Sequence, residues 1–376
     1  MSRQKSSSRF RFTGAVILLS ILMFLVPALQ NGNRTLYLLC VLVPCAMFLC
    51  ETMLARMFSL DRMLLSLSLW LCAAGIAALA VSDPETALGQ CLRCGAGVFA
   101  LLVGGVLIRS LSPSLLTSGC TAFLGLLILG SKLLAPSLSL PLTEAAEALL
   151  LIAFASLLSR QGPVPAVVAA SAALALLLFR GETADALFWG ITVLLLLFAM
   201  DGRLVILLPS LAVMGILFFV AFSLPRSPAV SPDSPLAAMA SAGLVGADVL
   251  TEEIASLPAQ SLFPRVAGHY GLLFAGLTAL LFLPLALRGT SVAASARTRF
   301  HAGLAMGVSL LLALRTLAAL LSLFGFLPFA DTAVPFLTAS LPDLCAQLFL
   351  TGLLCGISGR SDADLAEDAH LAMLAK

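Results

Sequence analysis

The stretch Gly325-Phe-Leu-Pro-Phe-Ala-Asp-Thr-Ala-Val-Pro-Phe336 separates two long apolar runs near the C-terminus. Its pattern is G-x-L-P, six residues, then P-F. Proline has no backbone N–H and biases the preceding residue away from helix, so Pro328 and Pro335 are expected to end one membrane helix and delay the next. Irregular backbone at membrane depth is tolerated only where protein buries it or where it lines a cavity. We therefore expect a shaped loop at the outer face of a helix bundle.

The overall composition is that of a membrane protein. Hydrophobic residues make up 60% of the 376 residues and charged residues only 11%, whereas soluble domains are nearer half apolar and a quarter charged. A net charge of +2 gives no reason to expect nucleic acid as a partner. Most of the nine cysteines fall in apolar runs, where they act as small hydrophobes, and three scattered histidines do not make a metal site. We expect no metal and no cofactor.

About twelve segments are long and apolar enough to cross a bilayer. The predicted spans are 12–29, 36–54, 63–81, 90–108, 113–134, 144–159, 164–179, 185–200, 204–223, 266–288, 302–325 and 339–358. With the N-terminus in the cytoplasm, 14 of the 21 lysines and arginines lie inside and five outside. This positive-inside bias supports the orientation and places both termini in the cytoplasm. The predicted fold class is an all-α, polytopic membrane helix bundle.

The opening stretch resembles the C-terminal signature of the SEDS family (the RodA, FtsW and SpoVE group). That signature reads G-L-L-P, several residues, and L-P-F-I-S-Y-G-G-S. The matching positions here are Gly325, Leu327, Pro328, Pro335 and Phe336. The S-Y-G-G-S part is not matched, because the chain reads Thr338-Ala-Ser-Leu-Pro342 at this place.

Other family motifs are resembled in the family's order. Pro141-Leu-Thr-Glu144 is similar to Q-P-S-E-L-A-K, Phe179-Arg-Gly-Glu-Thr-Ala-Asp-Ala186 stands at the place of Q-P-D-L-G-T-A, and Ala240-Ser-Ala-Gly-Leu-Val-Gly246 is similar to G-S-G-G-L-F-G. The resemblance covers roughly residues 60–358 and implies a ten-helix core. It divides the chain into a basic tail with an extra helix pair at 1–60, a core at 61–360 with an extracytoplasmic loop at 224–265, and a cytoplasmic tail at 361–376.

The resemblance implies work on lipid II, an undecaprenyl-diphosphate disaccharide, at the outer face of the bacterial cytoplasmic membrane. Family members extend peptidoglycan glycan strands there, in partnership with a class B penicillin-binding transpeptidase. The proposed catalytic residue is the Asp of H-T-D-F. Aligned forward from Leu257-Pro258 that position holds Phe263, and aligned backward from Gly271 it holds Gln260. Neither side chain can take a proton from an acceptor hydroxyl.

Three interpretations therefore stay open. The chain is a glycosyltransferase in which another group has become the base, or it is a catalytically inactive paralogue that binds or flips lipid precursors or acts as a scaffold. Twelve spans alone would also suit a secondary transporter. Transporters often contain two halves with matching broken helices, and we find no such repeat in this sequence.

Seven residues are predicted to contact the substrate: Glu144, Arg180, Glu182, Arg265, Arg315, Pro328 and Pro335. An arginine can hold diphosphate oxygens through two parallel hydrogen bonds. The alternative for these cations is that they reach to the interface or pair with Glu144 and Glu182. Arg315 lies near the middle of a span, where a guanidinium needs an anionic partner or a wet cavity.

Candidate bases in place of the missing Asp are Glu182, Glu252 and Glu253. Each has a structural alternative: Glu182 as part of a solvated turn, and the Glu252–Glu253 pair as the polar face of a surface helix. Glu144 could equally be a residue at a helix N-terminus, where its negative charge interacts favourably with the helix dipole. His269 could act as a base near pH 7, although a lone interfacial histidine is more often an anchor.

Overall fold

The computed structural model describes residues 2–31, 34–134, 142–223, 262–324 and 333–374, together with 239, 243–244, 246 and 326. These residues form thirteen helices: α1 Ser2–Asn31, α2 Arg34–Met57, α3 Arg62–Ser82, α4 Pro84–Ser110, α5 Leu115–Leu134, α6 Thr143–Arg160, α7 Pro163–Arg180, α8 Thr183–Asp201, α9 Leu204–Ser223, α10 Phe263–Leu280, α11 Phe282–Ser295, α12 Arg299–Leu323 and α13 Leu341–Leu374. The described ranges contain no β-strand. The predicted all-α bundle is confirmed.

Eight apolar helical segments of the described chain are long enough to cross a membrane, with α10 and α11 counted as one. Helices α1, α5 and α9 contain shorter apolar stretches of 10–17 residues. Helix α6 has the length of a span but begins with Glu144 and Glu147 and ends with Arg160. The chain is therefore a multi-pass membrane protein. The eight long segments, the three shorter ones and α6 together make twelve, the number of predicted spans.

Helix α3 lies at the centre of the bundle. All residues from Leu64 to Ala80 are buried, and α1, α2, α4 and α10 pack around it. Asp61 begins the helix by accepting hydrogen bonds from the N–H groups of Met63 and Leu64. An apolar run that is hydrophobic on every side is expected at such a buried position.

Helices α4 and α13 contact each other through their backbones. A Cβ atom at Gly352 would lie only 2.0 Å from the carbonyl oxygen of Leu101, and one at Gly356 would lie 2.5 Å from that of Gly105. Small residues allow membrane helices to approach closely and gain van der Waals contact. This pair fixes the position of α13, which contributes Gln347 to the site described below.

The predicted span 266–288 is interrupted in the structure. Gly271 has φ 86° and ψ 166°, which breaks α10, and Leu281 separates α10 from α11. The N–H groups of Leu272 and Leu273 donate to the carbonyls of Gly243 and Leu244 at 3.1 and 3.2 Å. Because these bonds replace the lost helical ones, the break is tolerated at membrane depth.

The connection between α12 and α13 is non-helical over its described residues 333–340, as the two prolines predict. Beyond it, α13 runs without a break from Leu341 to Leu374. The predicted cytoplasmic tail at 361–376 therefore begins within this helix, since no glycine or proline follows Gly359 to end it.

Candidate functional site

A buried arginine surrounded by carboxylates lies between α6, α8 and α12. The side chain of Arg315 is 4% exposed. Its Nη1 lies 2.5 Å from Glu144 Oε1, and its Nη2 lies 2.5 Å from Glu147 Oε2 and 3.5 Å from Asp185 Oδ1. We call these four residues the Arg315 cluster. An ionic group buried inside a membrane bundle is costly and is a reason to expect function.

Helix geometry explains how the cluster forms. Glu144 and Glu147 are three residues apart at the start of α6, so they project from the same face. Asp185 is in the first turn of α8, and α12 packs against both α6 and α8. Carboxylates are favourable near helix N-termini, so the first turns of α6 and α8 both suit them.

A second ion pair adjoins the cluster. Arg180, with a side chain 5% exposed, places Nε 3.0 Å from Glu182 Oε1. The other oxygen of Glu182 accepts a hydrogen bond from Thr143 Oγ1 at 3.0 Å, and Arg180 Nη1 donates to the carbonyl of Leu129 at 3.4 Å. The turn between α7 and α8 is possible because Gly181 adopts φ 83°.

Carboxyl groups outnumber arginines in this region. Arg315 and Arg180 face four carboxylates when Glu182 is counted with those of the cluster. Within the described part of the chain, three buried polar atoms of the cluster have no hydrogen-bond partner: Glu144 Oε2, Glu147 Oε1 and Arg315 Nε. Since the guanidinium is already enclosed by protein carboxylates, the cluster is better suited to donor groups than to an additional anion.

One amide joins the cluster to the connection between α12 and α13, whose described residues are 333–340. Gln347 on α13 donates from Nε2 to Glu144 Oε1 at 3.1 Å. Its Oε1 accepts the backbone N–H of Phe336 at 2.5 Å. Pro335 precedes Phe336 and is buried, whereas Pro328 lies outside the described residues. The matched P-F pair of the opening stretch is thus connected to Arg315.

Arg265 belongs to a different group of residues, on α10. It precedes His269 by one helical turn, and His269 Nε2 lies 2.8 Å from Ser82 Oγ. The neighbouring Tyr270 donates its hydroxyl to the carbonyl of Met23 at 3.1 Å. Tyr270 therefore ties α10 to α1, and the His-Tyr pair is part of the packing between helices at the broken span.

Of the three predicted bases, only Glu182 lies within the described residues. Glu182 has a side chain 28% exposed, the highest among the four carboxylates near Arg315. Glu252, Glu253 and Gln260 lie outside the described residues. Phe263 is 3% exposed at the start of α10. The described residues include no group of three potential metal ligands.

Two residues that sequence reasoning did not select are buried amides. Gln347 and Gln90 are each 1% exposed, and Gln90 Nε2 donates to the carbonyl of Thr338 in the connection between α12 and α13 at 2.9 Å. Each of these glutamines lies in an apolar run of the sequence. That position could have indicated a buried hydrogen bond, because buried polar side chains require partners.

Comparisons with known proteins agree with this architecture. No family model matches the chain. A probable peptidoglycan glycosyltransferase FtsW from two strains of Geobacter sulfurreducens is 36% identical over 90 residues. The match spans 24% of this chain and about a quarter of the length of these relatives.

Solved structures share the fold along most of the chain. The crystal structure of the rod shape determining protein RodA from Thermus thermophilus superposes with a TM-score of 0.59 at 19% identity, covering 80% of this chain and 96% of RodA. A chain from the structure described as structural coordination of polymerization and crosslinking by a peptidoglycan synthase complex gives a TM-score of 0.64 at 19% identity. The superposition covers 80% of this chain and 98% of that chain. The chain is thus similar to FtsW over 90 residues and shares its fold with RodA and with this synthase chain.

Proposed function

We propose that this protein polymerises glycan strands from lipid II at the outer face of the bacterial cytoplasmic membrane. The observation that carries the proposal is the 36% identical stretch shared with a probable peptidoglycan glycosyltransferase. The fold similarity to RodA over 80% of the chain supports it. The orientation proposed from the positive-inside bias places both termini in the cytoplasm and the Arg315 cluster near the outer face.

The proposed reaction joins an acceptor hydroxyl to the anomeric carbon of lipid II. The new C–O bond forms as the bond to the undecaprenyl diphosphate breaks, the diphosphate leaves with the bonding pair, and a base removes the hydroxyl proton. We assign that base to Glu182, because it is a partly exposed carboxylate on the outer side, beside Arg180. Arg180, Arg265 and the proline-shaped connection at Pro335 are proposed to contact the diphosphate lipid, and Glu144 and Arg315 to hold the surrounding helices.

Partners and chain organisation follow the same proposal. A class B penicillin-binding transpeptidase would crosslink the strands, in agreement with the similarity to a chain of a peptidoglycan synthase complex. Residues 1–60 would form an addition to a core at 61–360, with the rest as a cytoplasmic tail.

The test is polymer formation from labelled lipid II by the purified protein, alone and with the transpeptidase. Glu182→Gln is expected to lower the rate about 100-fold or more, the usual contribution of a general base. Glu85→Gln is the matched control, because Glu85 is an exposed carboxylate at the start of α4 on the same side of the membrane. Equal rates for both variants would remove Glu182 from the mechanism.

A second candidate function is an inactive paralogue that binds lipid II without polymerising it. The buried Phe263 at one alignment of the family's catalytic Asp favours it. Saturable binding of labelled lipid II without polymer, with any partner, would establish this function. Polymer that disappears in Glu182→Gln would exclude it.

A further inference from the structure

The outer connection between α12 and α13 is held in an unfavourable conformation. Phe336 has φ 65°, although it is not glycine. A Cβ atom makes this left-handed region costly, and such residues persist only where the surroundings impose them. The ring of Phe336 is fully buried and stacks on Phe282 at a centroid distance of 6.2 Å.

Gln347 supplies a polar contact to Phe336 in this conformation. Its Oε1 accepts the N–H of Phe336 at 2.5 Å, and its Nε2 donates to Glu144 Oε1 at 3.1 Å. The amide is 1% exposed, so water is a poor substitute for either contact. A buried N–H left without an acceptor costs its full desolvation penalty.

The two partners also determine which way the amide points. The Phe336 N–H can only donate, so it requires the oxygen of Gln347. The oxygen of Glu144 that faces Arg315 accepts hydrogen bonds, so it requires the NH₂ group of Gln347. Glu144 Oε1 is itself 2.5 Å from Arg315 Nη1. A single chain of contacts therefore leads from the buried guanidinium to the strained backbone of the outer connection.

We propose that Gln347 is a positioning residue that fixes the Pro335–Phe336 turn against Glu144, so that the outer connection moves when the Arg315 cluster is disturbed. The importance of that turn for lipid handling rests on the proposed function. The dependence of the turn on Gln347 and Glu144 does not, and it is measured without any activity.

The probe is the accessibility of a cysteine in the connection. Ala339→Cys places a thiol at a partly buried position, and its reaction rate with a membrane-impermeant maleimide is measured against the parent chain with its nine native cysteines. Gln347→Leu is expected to raise this rate about tenfold, because the Phe336 N–H loses its acceptor. An unchanged rate would overturn the proposal.

Exchanging the amide and the carboxyl group between positions 347 and 144 distinguishes a positioning role from a general loss of stability. Gln347→Glu keeps an acceptor for Phe336 but sets two carboxylates against each other, so faster labelling is expected. Adding Glu144→Gln restores a donor–acceptor pair, and the double variant is expected to return within about twofold of the starting rate. Labelling of the double variant as fast as that of Gln347→Glu would overturn the proposal. If Gln347→Leu does not fold, this pair of variants decides.

Gln90→Leu is the matched control. Gln90 has the same side chain, the same burial and a hydrogen bond to Thr338 in the same connection. Gln90→Leu is also expected to speed labelling of the introduced cysteine, but adding Glu144→Gln should not reverse this effect. If labelling follows these expectations while no polymer forms from lipid II, the positioning role stands and the proposed function fails.

Discussion

Replacing Arg315 with methionine is expected to destabilise the bundle more than any other single charge removal in the cluster. The guanidinium is 4% exposed and faces Glu144, Glu147 and Asp185. Removing one side of a buried ion pair leaves uncompensated charge at a cost of about 3–5 kcal/mol. At ~2–4 °C per kcal/mol for a large domain, the apparent Tm should fall by about 10 °C.

Removing a carboxyl group from the cluster should cost far less stability than removing the arginine. Glu147→Gln leaves Arg315 with Glu144 and Asp185 and reduces the excess of negative charge, so a loss of about 1 kcal/mol or less is expected. Combined with Arg315→Met, it should recover part of the lost stability, because one unpaired carboxylate is gone. Arg203→Met is the control: its side chain is 73% exposed and 4.0 Å from Asp201, so the Tm should not change.

The assay is the fraction of monodisperse protein that remains after heating in detergent, followed by size-exclusion chromatography. The reasoning is refuted if Glu147→Gln lowers the Tm as much as Arg315→Met. It is also refuted if the double variant is less stable than Arg315→Met alone, since removing a carboxylate would then make the charge imbalance worse rather than better.

Two further predictions use the same assay. Gly352→Ala is expected to cost about 1–3 kcal/mol, because its Cβ would meet the Leu101 carbonyl oxygen at 2.0 Å, whereas Gly119→Ala in α5 meets nothing within 4 Å and should stabilise by up to about 1 kcal/mol. Asp61→Asn removes the charge that pairs with Arg288 but keeps an oxygen to cap α3. Asp61→Ala should therefore lower stability by about 1 kcal/mol more, and equal losses would contradict the capping role.

The helices themselves were largely predictable, because apolar length is a local property. The predicted spans 302–325 and 144–159 correspond to Arg299–Leu323 and Thr143–Arg160. The break at Gly271 was not predicted. A glycine inside an apolar run is common in membrane helices, and only the carbonyls of Gly243 and Leu244, about 30 residues earlier, make a break there favourable.

Some charged residues of the Arg315 cluster and its surroundings could be selected from the sequence, but their contacts could not. Glu144, Arg180, Glu182 and Arg315 were selected because charges are costly in a membrane bundle. The sequence left open whether the arginines hold a substrate or pair with carboxylates. The structure shows both Arg315 and Arg180 paired within the protein.

By itself the sequence determined a multi-pass helix bundle with a proline-shaped connection before its last helix and a family resemblance, since each follows from composition or from residues close in the chain. Only the tertiary structure decided that Gln347 joins Phe336 to Glu144, 203 residues away from it in the sequence. Helical periodicity shows which face of a helix is buried, but it does not show which other helix that face meets. The contacts of Arg315 depend on that second choice, which is made when α6, α8, α12 and α13 pack together.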